Sequence, residues 1–476
     1  MLRQVSRNEW RGLAADRTLW AVAALLASVL FFGAFNGARW SALQVDRQGE
    51  LMTEQQERIA DTRAKLLETP GTAVRRFFNP RNPAQVGQTF AAPYALLPRA
   101  PLAPLSVGQS DLLPSYYKVT LDSREALFAG DELENPANLL TGSFDVAFVI
   151  VFLYPLVILA LSYNLLSGEK ENGTLALTLS QPVSLAHVAA AKILVRGALA
   201  FGLTCVFTLL GALAAGVDLG SPGAAAALAG FFGVTAVYGV FWFSLALLVN
   251  SFGRGSATNA MVLAGAWLVL ALVIPSTVAL VASTLYPVPS RVEMIQSVRT
   301  ATQDASARGA QLLGAYFADH PELAPEGEID AGDYYSRKYV VEEEVSKLIA
   351  PLSGRFEAQI RGQQAVVSDL QYLSPAVLTQ QSLNDLAGTS YARHAHFQRE
   401  TERFASEWKA HFLPQVYRRA EFTAAGLDQL PRFVYQREPA NIVASRVGGA
   451  SLVILLVAAC LFGRSIFALR RYPVAG

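Results

Sequence analysis

Apolar residues along this chain gather into six long runs separated by stretches of mixed polar sequence. The runs lie at 18–38, 144–166, 187–215, 224–250, 257–286 and 442–468. Each reaches the ~20 residues that a helix needs to cross a hydrocarbon core. The first holds no charge from Leu19 to Phe35, and Trp20 and Trp40 stand near its ends as interfacial anchors. Pro155 and Pro275 fall inside the second and fifth runs, where neighbouring helices can cover the backbone groups they free. Between the runs the pattern changes. Leu43, Leu51, Ile59 and Leu66 form a loose face, so residues 39–69 are predicted to continue the first run outward as a helix, up to Pro70-Gly71. The prolines that follow rule out a long helix, and a short strand is expected around Tyr117–Leu121. Residues 290–362 read as two helices split by a loop at Pro321–Gly332, and 382–426 as one long helix. After Pro431 a short extended Phe433-Val434-Tyr435 leads into the last run.

Composition agrees with this alternation. Hydrophobic residues make up 52% of the 476 positions and charged residues only 16%, which is too apolar for an ordinary soluble protein. The net charge of +1 says little, and no polybasic run argues for nucleic acid. Charges are sparse in 143–286 and dense in 39–142 and 288–441. Cys205 and Cys460 both lie in apolar runs, so a disulfide framework is excluded and the polar regions must fold by burial. The first apolar run is too long for a signal h-region and no cleavage site follows it, so no cleaved signal is expected.

Basic residues assign the sides. The N-terminal arginines, Lys170, Lys192, Arg196, Arg254, Arg464, Arg470 and Arg471 collect on one side, while the opposing connection Gly216–Gly223 holds only Asp218. Both termini, the tail 469–476 and the loop 167–186 are therefore expected in the cytoplasm, with 39–142 and 288–441 outside. A re-entrant 257–286 is the alternative, and it would invert everything after it. The expected fold is a mainly α membrane protein, with six transmembrane helices and a mostly helical outer domain with minor β, built from the two insertions. Those insertions hold roughly 250 residues, enough for one core, and are expected to pack on each other.

Four groups of residues invite a chemical reading. Ser167-Gly168-Glu169-Lys170 suggests a phosphate loop, but the upstream glycine of GxxxxGK[ST] is missing and Glu171 follows the lysine. ATP binding by this chain itself is not expected. His394, His396 and Glu400 suggest a metal site. On a helix, however, His394 lies about 200° round from His396, and zinc needs about four converging ligands, so packing inside the outer domain is the favoured reading. Tyr163, Asn164, Thr204, Thr208, Tyr238 and Asn259 are intramembrane polar residues that could line a path or an interface; interhelical hydrogen bonding is the plainer alternative. Residues 1–17 read as an amphipathic helix along the membrane surface, with Trp10 towards lipid and Arg3, Arg7 and Arg11 towards water. No nucleophile stands with a base, so a hydrolase is poorly supported.

The segment GEKENGTLALTLSQPVSLAHVAAAK resembles membrane subunits of the ABC-2 (type V) permease family of ABC transporters. Glu171-Asn172-Gly173-Thr174-Leu175, Pro182-Val183-Ser184 and Lys192 match that family's stretch after its second span. The N-terminal helix with Glu9, Trp10 and Arg11 looks like the family's connector helix. PLSVGQSDLLPSYY, NPANLLTGSFDVAFVIVFLYPL, YARHAHFQRE and LPRFVY resemble a subfamily with a large outer insertion of unassigned function. The resemblance implies a non-catalytic permease in a bacterial inner membrane, pairing with a second permease, identical or related, and with two copies of an ATPase subunit. ATP and Mg would reside on that ATPase, with no cofactor in this chain. Glu169, Lys170, Glu171, Asn172, Gly173, Thr174 and Pro182 would then be the ATPase-coupling residues. Most such permeases have smaller outer parts, so no substrate carries over. Export of an amphipathic or lipid-linked molecule is the first expectation. Force transmission through the outer domain to a periplasmic or outer-membrane partner is the second, and a receptor or scaffold that binds no ATPase is the third.

Overall fold

The computed structural model describes residues 2–68, 79–108, 110, 112–124, 127, 144–181, 183–287, 291–325, 330 and 332–472. Pro70-Gly71, the expected end of the first long helix, lies outside them.

Among the described residues six helices are long and apolar enough to cross a membrane, and most of the remainder is also helical. After α1 (Leu2–Ala15), the first of them, α2, runs unbroken from Arg17 to Glu68. The second, α3, passes through Val146–Phe148, a π-turn at Val149–Leu153 and Tyr154–Ser162. Two short helices follow, α4 (Ser167–Glu171) and α5 (Thr174–Leu179), then α6 (Leu185–Ala214) and α7 (Ala224–Asn250). The fifth, α8, runs through Ser256–Leu268, a π-turn at Val269–Val273 and Ile274–Leu285. Four polar-region helices come next: α9 (Arg291–Ala307), α10 (Gly309–Asp319), α11 (Tyr334–Leu370) and α12 (Pro375–Ala387). The chain closes with α13 (Tyr391–Tyr417) and the sixth span, α14 (Ala440–Leu469).

A helix that is apolar on every face belongs in the middle of a bundle. α7 is that helix, and Phe231, Tyr238 and Trp242 are fully buried along it. It packs on α3, α6, α8 and α14. The two π-turns each sit just before a proline. Pro155 cannot donate to the carbonyl of Val151, and the widened turn makes room for its ring. That carbonyl accepts the Tyr238 hydroxyl at 2.9 Å, and the neighbouring Phe152 carbonyl accepts the Trp267 indole N–H at 3.1 Å. Before Pro275, the Leu270 carbonyl accepts Ser374 Oγ at 2.7 Å. Without water to turn to, each of these three carbonyls has a side chain from another element.

Beyond the bundle the two insertions share one core. Leu66 of α2, Val86, Val119 and Leu121 of the first insertion meet Leu313, Phe317, Tyr339, Phe397, Trp408 and Phe412 of the second. The expected strand is β2 (Tyr116–Lys118), antiparallel to β1 (Tyr94–Leu96) in a two-stranded sheet. Where one helix was expected over 382–426, the chain divides at Gly388. Its φ of +71° ends α12, Thr389 N–H reaches back to the Asn384 carbonyl at 2.9 Å, and Ser390 caps α13. The described residues of 290–362 likewise hold three α-helices rather than two, because Arg308 ends α9 and turns α10 into the outer core. Phe433-Val434-Tyr435 forms no strand; Phe433 and Tyr435 instead pack on that core.

The second insertion does not stay above the bundle. Gly362 and Gln363 lie against Tyr286 at the far end of α8, and Gln363 Nε2 donates to the Tyr286 carbonyl at 2.7 Å. From there α11 descends along α8 to Leu370, the chain turns at 371–374, and α12 climbs back between α7 and α14. Three contacts fix the depth. Ser374 reaches Leu270 in the middle of α8, Leu386 touches Gly230 near the start of α7, and Asp385 pairs with Arg446 near the start of α14. Residues 363–388 therefore form a re-entrant hairpin whose tip stands at half the height of the bundle.

Candidate functional site

The segment between α3 and α6 folds as two short helices across the end of the bundle that also holds α1 and the last turn of α14. Gly173, at φ +70°, makes the turn between α4 and α5 in a conformation that disfavours a side chain. Leu175 drops into an apolar cluster with Leu165, Leu166, Leu185, Leu247 and Tyr472, which seats the pair on the bundle. Ser184 then caps α6, its hydroxyl accepting from the His187 amide.

The charged triplet points inward and sideways. Glu169 pairs with Lys192 at 2.8 Å. Lys192 is only 3% exposed and also donates to the Leu165 carbonyl at 2.9 Å, so the carboxylate compensates a charge held inside the first turns of α6. Glu171 accepts from the Ser256 amide at 2.6 Å and its hydroxyl at 2.8 Å, which caps the first turn of α8 from another element. Lys170 donates to the Gly253 carbonyl at 3.4 Å, in the connection between α7 and α8. Each member of the triplet thus holds a different part of the bundle. The opposite face of the element is open: Asn172, Gly173, Thr174 and Ala176 are exposed, and Leu177 is 71% exposed. Pro182 lies outside the described residues.

Behind the element, three buried polar groups, Ser167, Asn250 and Asn259, and the half-buried Ser256 lock the ends of α3, α7 and α8 together. Asn250 donates to the Ser162 carbonyl at 2.9 Å and accepts from the Leu166 amide at 3.3 Å. Asn259 donates to the Tyr163 carbonyl, to Ser167 Oγ and to Asn250 Oδ1, and Ser167 meets Ser256 at 2.8 Å. Asn250 was missed by the sequence reading, because an asparagine closing an apolar run looks like an ordinary helix end.

The N-terminal helix joins the same assembly. Glu9 takes a two-pronged ion pair from Arg196 of α6, at 2.7 and 2.6 Å, and both side chains are largely buried. Arg196 also donates to the Leu161 carbonyl and to Asn164 Oδ1 at the end of α3. Trp10 is 53% exposed and Arg11 is exposed. Thr204 bonds back to the Ala200 carbonyl within α6, Thr208 is buried, and Tyr238 serves the Val151 carbonyl. The six polar residues singled out inside the spans therefore sit in three different settings, not along one surface.

At the other end of the bundle, a cavity of about 360 Å³ opens between the two π-turns and the hairpin. Phe148, Val151, Phe152, Ala271 and Pro275 supply apolar walls, and Gln380, Gln381 and Asn384 of α12 supply amides. Sequence reasoning missed it, because α12 was assigned wholly to the outer domain. His394 and His396 diverge as their helical spacing requires: His394 donates to the Pro114 carbonyl at 3.2 Å, His396 meets the Gln436 carbonyl at 2.8 Å, and Glu400 pairs with Arg403.

Six apolar helices, with interlocking buried amides and a short two-helix element across one end, define a polytopic α-helical membrane protein. Residues 126–264, from just before α3 into α8, match the family model described as ABC-2 family transporter protein. Residues 291–436 match a domain of unknown function (DUF3526), which spans α9 to α13 and so includes the hairpin. The ABC-2 resemblance carried by the α4–α5 segment is thereby borne out, together with an inserted domain of unassigned function. That family points to a membrane subunit of an ABC transporter, of a typically non-catalytic kind, with an ABC ATPase as its partner. No curated protein matches the chain.

Proposed function

We propose that this chain is the permease of an ATP-driven exporter, and that α4–α5 carries the movement of a separate ATPase into the spans. The end of the bundle bearing this element faces the cytoplasm. The supporting observation is its two-sidedness: one face grips α6, α8 and the α7–α8 connection through Glu169, Glu171 and Lys170, and the other leaves Leu177 and Thr174 in the open. A push on the open face would reach three parts of the bundle through short polar contacts, with α1 tied in through Glu9 and Arg196. Two such permeases would stand over two ATPase copies, which would hold the ATP and Mg. The cavity between the π-turns, with apolar walls, a few amides and Asp145 at its edge, suits an amphipathic or lipid-linked cargo.

A second reading has its own support. α2 runs 52 residues without a break from the bundle into the outer core, where Arg63 pairs with Asp428 at 2.6 Å. Such a rod could move the outer domain on a periplasmic or outer-membrane partner without any cargo.

Co-purification with the genomic-neighbour ATPase tests the shared premise. Leu177→Asp, which alters only an exposed side chain, is expected to weaken assembly at least tenfold, a loss of about 1.4 kcal/mol. Glu169→Lys with Glu171→Lys is expected to lower stimulated ATP hydrolysis. Unchanged assembly and hydrolysis in both variants would sink the assignment.

A further inference from the structure

The first arm of the re-entrant hairpin carries polar groups at a depth where lipid could not solvate them. Between Tyr286 and the tip, α11 packs on α8 with one side and leaves Ala365, Ser368, Asp369 and Tyr372 exposed on the other. That spacing places them on one face of the helix. Asp369 has no hydrogen bond or ion pair with any described residue, although Gln371 folds back onto the Ser368 carbonyl at 2.7 Å. Ser374, five residues beyond Asp369, already lies at the mid-height of α8. The spans show how this chain treats polar groups in that zone: Tyr238, Trp267 and Ser374 each satisfy a loosened carbonyl. An ionisable side chain left open beside them departs from that pattern, and such residues in membrane proteins face a partner group or a water-filled cavity.

We propose that this face of α11 borders water: a hydrated vestibule descends from the outer domain along Ala365, Ser368, Asp369 and Tyr372, and the Asp369 carboxylate stands near its floor. Irregular backbone such as the 371–374 turn is tolerated at such depth where it lines a cavity or is covered by protein. A lone carboxylate there favours cations, so a vestibule of this form admits positively charged solutes and head groups ahead of anionic ones. The inference needs a membrane-embedded bundle but not the exporter reading; a hydrated vestibule would stand even if α4–α5 bound no ATPase.

Cysteine accessibility tests it, on the full chain in liposomes with Cys205 and Cys460 replaced by alanine. The hydrated thiolate is the nucleophile that attacks a thiol reagent, so a thiol in lipid, which stays protonated, reacts poorly. Ser368→Cys and Asp369→Cys are compared with two single cysteines. Leu348→Cys is an exposed site on the part of α11 above the bundle. Val457→Cys is exposed on α14, eleven residues below Arg446 as Ser374 is eleven residues below Asp385. With a membrane-impermeant maleimide added on the outer-domain side, the hairpin cysteines are expected to label within about tenfold of Leu348→Cys, while Val457→Cys stays essentially unlabelled. Labelling of both hairpin cysteines as slow as that of Val457→Cys would overturn the proposal, whether lipid or a second permease covers the face. Charge is read separately at Ser368→Cys, where a cationic thiosulfonate should outpace an anionic one relative to Leu348→Cys. Asp369→Asn should remove that preference, and a preference that survives the change would overturn the carboxylate's part.

Discussion

Lys192 and His394 show how much one buried polar residue constrains this chain. Lys192 is 3% exposed and relies on Glu169 for its only close carboxylate among the described residues. Removing Glu169 alone leaves a buried charge uncompensated, a change that costs about 3–5 kcal/mol where the pair is well enclosed. Glu169 keeps some contact with solvent, so Glu169→Ala is expected at or below the lower end of that range. Lys192→Met with Glu169→Met should cost less than Glu169→Ala alone, because no charge remains to be desolvated. Thermal unfolding of the detergent-solubilised protein checks the order, and a double variant less stable than the single would refute it. His394 acts through pH. Burial of its ring pushes its pKa down to about 4, despite the hydrogen bond to the Pro114 carbonyl that favours the charged form. The unfolded chain, with a histidine pKa near ~6.5, therefore takes up its proton first. Stability from this residue is full above about pH 6.5 and falls as pH drops towards 4, by about 3 kcal/mol in all. Hydrogen exchange in α13 between pH 7 and 5 should show the loss, and His394→Phe should flatten it.

At the scale of elements, the two π-turns and the hairpin belong together. Pro155 and Pro275 were visible in the sequence, as was the need for neighbours to cover what they free. The identity of those neighbours was not, since Tyr238, Trp267 and Ser374 come from elsewhere in the chain. Tyr238→Phe keeps the ring and orphans the Val151 carbonyl, so a loss of about 1–3 kcal/mol is expected in thermal unfolding. A change within experimental error would mean that the π-turn closes on itself without help. The six spans were legible because twenty apolar residues in a row have few other uses. α12 was not, because its Gln380, Gln381, Asn384 and Asp385 read as water-facing, and only packing between α7 and α14 places them at bundle depth. The α4–α5 segment stood out by its charges, but their roles were hidden. Nothing local says that Glu171 caps α8, or that Glu169 serves a lysine more than twenty positions on.

For the whole molecule, the architecture is a bundle with the two-helix α4–α5 element at one end and a large folded domain at the other. Two routes join them. One is the continuous α2, which makes the outer domain an extension of the first span. The other is α8, which begins at the Glu171 cap and ends against the root of the hairpin at Tyr286. Structures of the assembled complex in two nucleotide states would tell export from force transmission. Opening of the cavity beside α12 would favour export, and displacement of the outer domain over an unchanged bundle would favour force transmission.

Both readings depend on α4–α5 passing movement from an ATPase to the spans, and the Glu171–Ser256 clasp isolates that step from docking. Glu171→Gln with Ser256→Ala leaves Leu177 and Thr174 untouched while weakening the grip on α8. The measurement is ATP hydrolysis by the assembled complex alongside binding of the ATPase. The account predicts that the ATPase still binds with near-normal affinity while the permease-dependent part of its hydrolysis falls severalfold. Hydrolysis that keeps its full stimulation with the clasp removed would contradict it.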